Sequence, residues 1–221
     1  MSHPLRGLYA ITDSQLLPGE QLFSAVAAAL RGGARVIQYR DKSDDRQRRL
    51  AQSRALARLC ADYGRPLLIN DDVELARASG AQGVHLGQGD GDPGAARQTL
   101  GLSAIIGVTC HADLNLALAA QRAGADYVAF GAFFPSATKP GASPAPLELL
   151  AEARRALQVP VVAIGGISVD NATQVIEQGA SMVAAIHSLF ASDDVEQRAR
   201  AFQRLFASNR QPPEPAPTPP R

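Results

Sequence analysis

The sequence predicts an α/β fold in which eight parallel strands close into one barrel. Short β-rich runs alternate with longer, alanine-rich runs of helical spacing, eight of each. Strands separated by helices imply parallel βαβ units, and a count of eight favours closure, the (β/α)8 or TIM arrangement, over an open doubly wound sheet. A weak internal repeat supports the count. A helical run ends in Gly-Ala before a valine-bearing strand at Gly33-Ala34, Gly80-Ala81, Gly124-Ala125 and Gly179-Ala180. These junctions precede the second, fourth, sixth and eighth strands, so the repeat marks pairs of βα units. The 221 residues are enough for one such barrel or a modest two-domain chain.

The first strand is read at 7–12 and the first helical run at 21–30. Gly33, suited to the left-handed residue that stops a helix, leads to the second strand at 35–40 and a polar-faced helix over 44–63. Pro66 opens the third strand, 66–70, followed by a helix over 71–79. The fourth pair is 83–86 and 93–100, the fifth 104–109 and 112–123, and the sixth 127–131 and 146–157. Pro160 precedes the seventh strand, 161–165, with its helix at 169–178. The eighth strand, 182–187, and a helix over 195–206 complete the set. The barrel domain is therefore 1–209, and 210–221 is a tail. Residues 211–221 of it, QPPEPAPTPPR, have no apolar face, and proline removes hydrogen-bond donors, so the tail is expected to be extended and disordered.

Composition removes several classes. Lys and Arg total 22 against 21 Asp and Glu, a formal charge of +1, which leaves no electrostatic footprint for nucleic acid. Apolar residues come in short runs, none near the roughly 18 that a membrane span needs. Residues 1–7 lack a basic segment followed by an apolar one, so no secretory signal is read. Cys60 and Cys110 form no metal pattern and suit a reducing, cytoplasmic setting.

In (β/α)8 barrels the chemistry gathers at the C-terminal ends of the strands. The second strand ends Gln38-Tyr39-Arg40-Asp41-Lys42, and period-two alternation puts Gln38 and Arg40 on one face, with Lys42 near it. Converging basic residues suit a phosphate or diphosphate, although a solvated basic pair reads equally well from this segment alone. The third strand ends Asn70-Asp71-Asp72, and the fourth leads into His85-Leu86-Gly87-Gln88-Gly89-Asp90. Taken singly, these aspartates read as helix caps or turn residues. Beside Arg40 and Lys42, carboxylates on two neighbouring loops suit Mg²⁺, which takes one or two carboxylates and completes its shell with phosphate and water. The glycines of Gly87–Gly91 lack dinucleotide-binding spacing.

The fifth strand leads into Thr109-Cys110-His111, where substrate contact or capping is a better reading than covalent catalysis. The loop after the sixth strand carries Ser136, Thr138 and Lys139, and its length and hydroxyls suit a lid over phosphate. Gly165-Gly166 after the seventh strand and Ile186-His187-Ser188 after the eighth stand where barrels bind phosphate through backbone N–H groups. Two anionic sites at one barrel mouth describe two phosphorylated substrates side by side.

Five segments, QYRDK at 38–42, INDD at 69–72, HLGQGD at 85–90, PSATK at 135–139 and IGGI at 164–167, resemble in order and interval the thiamine phosphate synthase family, over roughly Leu8 to Phe206. That family condenses a hydroxymethylpyrimidine diphosphate with a thiazole phosphate, releasing diphosphate. The resemblance implies that Gln38, Arg40, Lys42, Asn70 and Lys139 hold the pyrimidine diphosphate, with Tyr39 and Asp41 in the same motif, and that Asp71 and Asp90 bind Mg²⁺. It places Thr109 near the pyrimidine, and gives Ser136, Ala137, Thr138, Gly166, Ile186 and His187 the thiazole phosphate. Arg40, Lys42 and Lys139 would neutralise the leaving group. Ser136 departs from a common threonine and His187 from a frequent serine. Two rivals stand beside this reading: a thiazole tautomerase, and a non-catalytic barrel that senses or carries thiamine phosphates.

Overall fold

Alternation along the strands sorts the apolar residues into two sets, and each set builds a core. The computed structural model describes residues 5–135 and 144–209. Its strands are β1 Gly7–Ile11, β2 Val36–Tyr39, β3 Leu67–Asn70, β4 Gly83–Leu86, β5 Ile105–Thr109, β6 Tyr127–Phe130, β7 Val161–Ala163 and β8 Met182–Ala185. Its helices are α1 Gln21–Arg31, α2 Arg46–Asp62, α3 Val73–Ser79, α4 Pro93–Leu100, α5 Leu114–Arg122, α6 Glu148–Ala156, α7 Ala172–Glu177, α8 His187–Phe190 and α9 Val195–Ser208. Each strand pairs in parallel with the next, and β8 pairs with β1, so the eight close into a barrel.

Inward residues such as Tyr9, Val36, Leu68, Tyr127 and Met182 fill the barrel, while outward residues such as Leu8, Ile37, Leu67 and Val183 meet the helices. Leu56 of α2 and Phe202 of α9 are fully buried in that outer layer. Burying each is worth about 1.5–3 kcal/mol relative to exposure.

Local signals fix the element ends. The four repeated glycines, Gly33, Gly80, Gly124 and Gly179, all have positive φ, the conformation that Gly tolerates at a helix stop. The side chains of Asp45, Asp72, Asp92, Asp113 and Asp194 each accept an N–H of the first helical turn. Asp72, not Asp71, therefore carries the cap at α3, which leaves Asp71 for other work.

One expectation of the helix count needs correction. Nine helices form among the described residues, because the chain beyond β8 turns at Ile186 (φ −116, ψ −90). The Ile186 carbonyl accepts from Leu189 and Phe190, which makes the short α8 where the sequence reads as strand to residue 187. The tail at 210–221 and the lid residues Ser136, Ala137, Thr138 and Lys139 lie outside the described residues. Cys60 and Cys110 are free and buried. No described helix is long and apolar enough to cross a membrane.

Candidate active site

Inward-facing residues at the C-terminal ends of the strands line a cavity of about 590 Å³. Gln38, Arg40, Lys42, Asn70, Asp71, Asp90, Thr109, Gly166, Ile186 and His187 all reach it, as do His85 and His111. The register explains the convergence: Ile11 pairs with Gln38, Gln38 with Leu68, and Asn70 with His85, so these inward positions sit at related heights around the barrel.

The wall built by β2, β3 and β4 carries the charge. Lys42 is paired with Asp71, and Asn70 Nδ2 donates to the same carboxylate oxygen at 2.6 Å. Arg40 donates to Asp13 at 3.1 Å and stays about a quarter exposed, with a face toward the cavity. Asp90 accepts from the Gly87 N–H at 2.9 Å. Asp71 holds φ +63, a left-handed value uncommon outside glycine and Asn/Asp, of the kind that clusters at functional sites.

Titration separates the two acids. Burial pushes the Asp71 carboxyl up, but Lys42 and a bond to Asp90 outweigh it and hold the group below its ordinary range. Asp90 is pushed up by partial burial, then by its bond to Asp71 and by that residue's charge. Each of two neighbouring carboxylates disfavours the charged form of the other, which drives their affinities for protons apart. Among the described residues no three His, Cys, Asp or Glu side chains cluster as a complete metal cage. A pair of carboxylates nevertheless fits Mg²⁺, whose remaining ligands come from phosphate and water.

Tyr39 and Asp41, grouped with the substrate residues by their motif, are not brought to this cavity. The alternation that turns Gln38 and Arg40 inward turns them outward, against α2. Tyr39 donates to Gln52 at 2.8 Å, and Asp41 accepts from Arg48 at 3.1 Å and from the Ser43 N–H at 2.9 Å. Burial raises the Asp41 carboxyl, yet the Ser43 and Arg48 bonds hold it below its ordinary value. A depressed folded pKa means stability that is present above the unfolded value of about 3.9 and is lost as pH falls through the folded one. Asp41→Ala is therefore expected to cost about 2 kcal/mol at neutral pH. Thermal melts should show that gap closing below about pH 4, with substrate affinity little changed. A gap that persists in acid would place the effect elsewhere.

Beneath the cavity lies a polar floor that sequence reasoning missed. Gln38 Nε2 donates to the Tyr9 hydroxyl at 2.5 Å, and Tyr9 and Tyr127 share a hydrogen bond of 2.8 Å. His85 meets Tyr127 through Nδ1 and Thr109 through Nε2, both at 2.8 Å. Burial raises both phenols and holds the His85 imidazole down at about 4, with Asp71 opposing. Tyr9 and Tyr127 belong to no charged motif; their only sequence cue is the inward phase of their strands. The Cys110 thiol is buried and pushed up to about 12 by that burial, which removes it as a nucleophile.

The opposite wall is backbone. Gly165 and Gly166 have φ +98 and +63, and the N–H groups of Gly166, His187 and Ser188 find no acceptor among the described residues. Ser188 donates to the Ile167 carbonyl at 2.5 Å, tying the two loops together, and Asn171 donates to the Gly166 carbonyl at 3.0 Å within the loop after β7. His187 opens α8 beside these free donors.

Residues 8–189 match the family described as thiamine monophosphate synthase. The thiamine-phosphate synthase of Nitrosococcus oceani is 55% identical over 208 residues, covering 94% of this chain and 96% of that protein. That of Thioalkalivibrio sulfidiphilus is 55% identical over 202 residues, with coverages of 91% and 96%. Among solved structures, the thiamine phosphate pyrophosphorylase of Pyrococcus furiosus superposes with a TM-score of 0.82 at 32% identity, covering 93% of this chain and 97% of that one.

Proposed function

The chain belongs to the thiamine monophosphate synthase family, and on that footing we propose how its cavity joins an aminopyrimidine diphosphate to a thiazole phosphate. The observation that carries the reading is the two-walled cavity: cations and carboxylates on β2–β4, free backbone donors after β7 and β8. The pyrimidine diphosphate would lie against the charged wall, and the thiazole phosphate against Gly166, Ile186 and His187.

In the reaction the bond between the pyrimidine methylene carbon and the diphosphate oxygen breaks, its electron pair leaving with diphosphate. The electron-rich aminopyrimidine stabilises the resulting cation, and the thiazole nitrogen closes the new C–N bond with its lone pair. No protein base or nucleophile is needed, so the residues serve charge and geometry. Arg40 and Lys42 face the leaving group. Lys139, carried over by position, would join them from the lid. Asn70 holds Asp71 in place. Asp71 and Asp90 would hold Mg²⁺, which supplies charge neutralisation for the departing diphosphate. Two buried, unpaired thiols suit a cytoplasmic setting.

The test is direct. The purified chain, given both substrates and Mg²⁺, should form thiamine phosphate and diphosphate in equal amounts, followed chromatographically. Binding without product would make it a carrier, and conversion of the thiazole partner alone would make it an isomerase.

His187 offers a finer check. If the phosphate is held by main-chain donors, the side chain can vary. His187→Ser should change thiazole phosphate affinity by less than about tenfold, about 1.4 kcal/mol, by calorimetry. A larger loss, steepest below neutral pH, would make the imidazolium itself the ligand.

A further inference from the structure

The floor of the cavity forms one unbroken string, Gln38–Tyr9–Tyr127–His85–Thr109, and the string has a direction. Its two ends, Gln38 and Thr109, line the cavity; Tyr9 and His85 also reach its lining, although they, like Tyr127, are buried. The rings are locked by packing. Tyr9 stands edge-on to Tyr127 at 5.8 Å and 85°, and His85 stacks on Tyr127 at 5.6 Å and 19°. Gly107 makes the space, since a Cβ there would lie 1.9 Å from the Tyr127 ring.

Counting protons orients the bonds. The Gln38 amide nitrogen only donates, so the Tyr9 oxygen accepts from it. Tyr9 then has one proton to give, and its remaining partner among the described residues is the Tyr127 oxygen. Tyr127 must in turn send its proton to His85 Nδ1, which acts as acceptor. The imidazole proton therefore sits on Nε2 and is given to Thr109 Oγ1. The Thr109 hydroxyl proton is left for the cavity.

The reverse order fails at Tyr9. There the phenol would receive from both Gln38 and Tyr127, and its own buried proton would meet no acceptor, at a cost of about 1–3 kcal/mol. A doubly protonated imidazole leaves the same proton stranded, and no carboxylate bonds the ring. At the other end, Gln38 turns its amide nitrogen to Tyr9 and its carbonyl oxygen the opposite way.

We propose that this string fixes Gln38 as an acceptor toward the cavity and leaves Thr109 a proton to give there, and thereby favours an amino-substituted nitrogen heterocycle over its oxo counterpart. An amino group beside a ring nitrogen presents one donor and one acceptor, the complement of that pair. The oxo form presents them in the opposite order and sets its carbonyl oxygen against the Gln38 carbonyl oxygen. Tyr9, Tyr127 and His85 are positioning residues: their polar atoms are taken up within the string, and they set the polarity of Gln38 and Thr109. The inference rests on the pyrimidine lying against Gln38 and Thr109, as proposed above.

The experiment has two readings on the full chain. Nitrogen-15 NMR of labelled histidine reports the His85 tautomer in the free, unmutated protein. A proton on Nε2 is expected, and a proton on Nδ1 overturns the proposal even if every variant misfolds. Calorimetry with the aminopyrimidine diphosphate and its oxo analogue then compares the unmutated chain with Tyr127→Phe, which keeps the ring and cuts the string. The preference for the amino form should fall at least tenfold, while thiazole phosphate affinity stays within twofold. An unchanged preference in a folded Tyr127→Phe overturns the proposal. Failure of the unmutated chain to make thiamine phosphate would sink the synthase reading alone, since tautomer and preference are read without turnover.

Discussion

Asp90→Asn is expected to lower turnover at least about 100-fold at ordinary Mg²⁺, because charge stabilisation by a bound metal is worth several kcal/mol and each 1.4 kcal/mol is a factor of ten. Asn keeps the shape of the side chain and removes the charge. Asp71→Asn should cost more, since Lys42 loses its partner as well. Asn is also the right probe for the backbone at Asp71. It tolerates the left-handed region that φ +63 demands, whereas Ala would add strain and blur the reading. Neither change should unfold the barrel. In metal-free buffer Asp90→Asn should melt no lower than the unmutated chain, because it removes a charge that partial burial and the neighbouring Asp71 both disfavour. Manganese binding by electron paramagnetic resonance, with diphosphate present, supplies the second readout and should weaken in step with turnover. Full activity of Asp90→Asn in the presence of a chelator would remove the metal from the mechanism.

Gly166→Ala is expected to damage both fold and function. At φ +63 a Cβ costs about 1–2 kcal/mol. The atom would also stand 2.3 Å from the Pro135 carbonyl oxygen and 2.6 Å from that of Phe134, so the chain must shift. Overpacking of this kind adds about 1–3 kcal/mol, for a total of about 2–5 kcal/mol. The shift is imposed on the free N–H groups that face the cavity, so thiazole phosphate affinity should fall about 30-fold or more, about 2 kcal/mol. Gly89→Ala is the matched control. No atom lies within 4 Å of a Cβ there, and stability should stay within about 0.5 kcal/mol. If Gly166→Ala bound the thiazole phosphate normally, the glycine wall would not be its site.

The barrel was legible because its signals are local. A strand must alternate, a helix must stop, and Gly-Ala and Asp at the element ends announce both. The charged wall was legible for a related reason: Arg40, Lys42, Asp71 and Asp90 stand at strand ends, where a polar residue needs an explanation. Tyr39 and Asp41 share that neighbourhood but face α2, and motif membership overrode a phase that alternation already gave. Tyr9 and Tyr127 were hidden because an aromatic residue inside a strand reads as core. Only their hydroxyls, matched across 118 residues, make them polar. The short α8 depends on the turn at Ile186, which no cap residue in the sequence marks.

The paired phenols under the cavity also make the protein its own reporter. The chain has four tyrosines and no tryptophan. Two of those four, Tyr9 and Tyr127, belong to the string that ends on the cavity. Tyr63 lies at the surface and Tyr39 against α2. Two of the four tyrosine chromophores therefore stand one or two hydrogen bonds from Gln38 or Thr109. A ligand that settles on Gln38 or Thr109 is therefore expected to be read in the tyrosine signal, with no label attached.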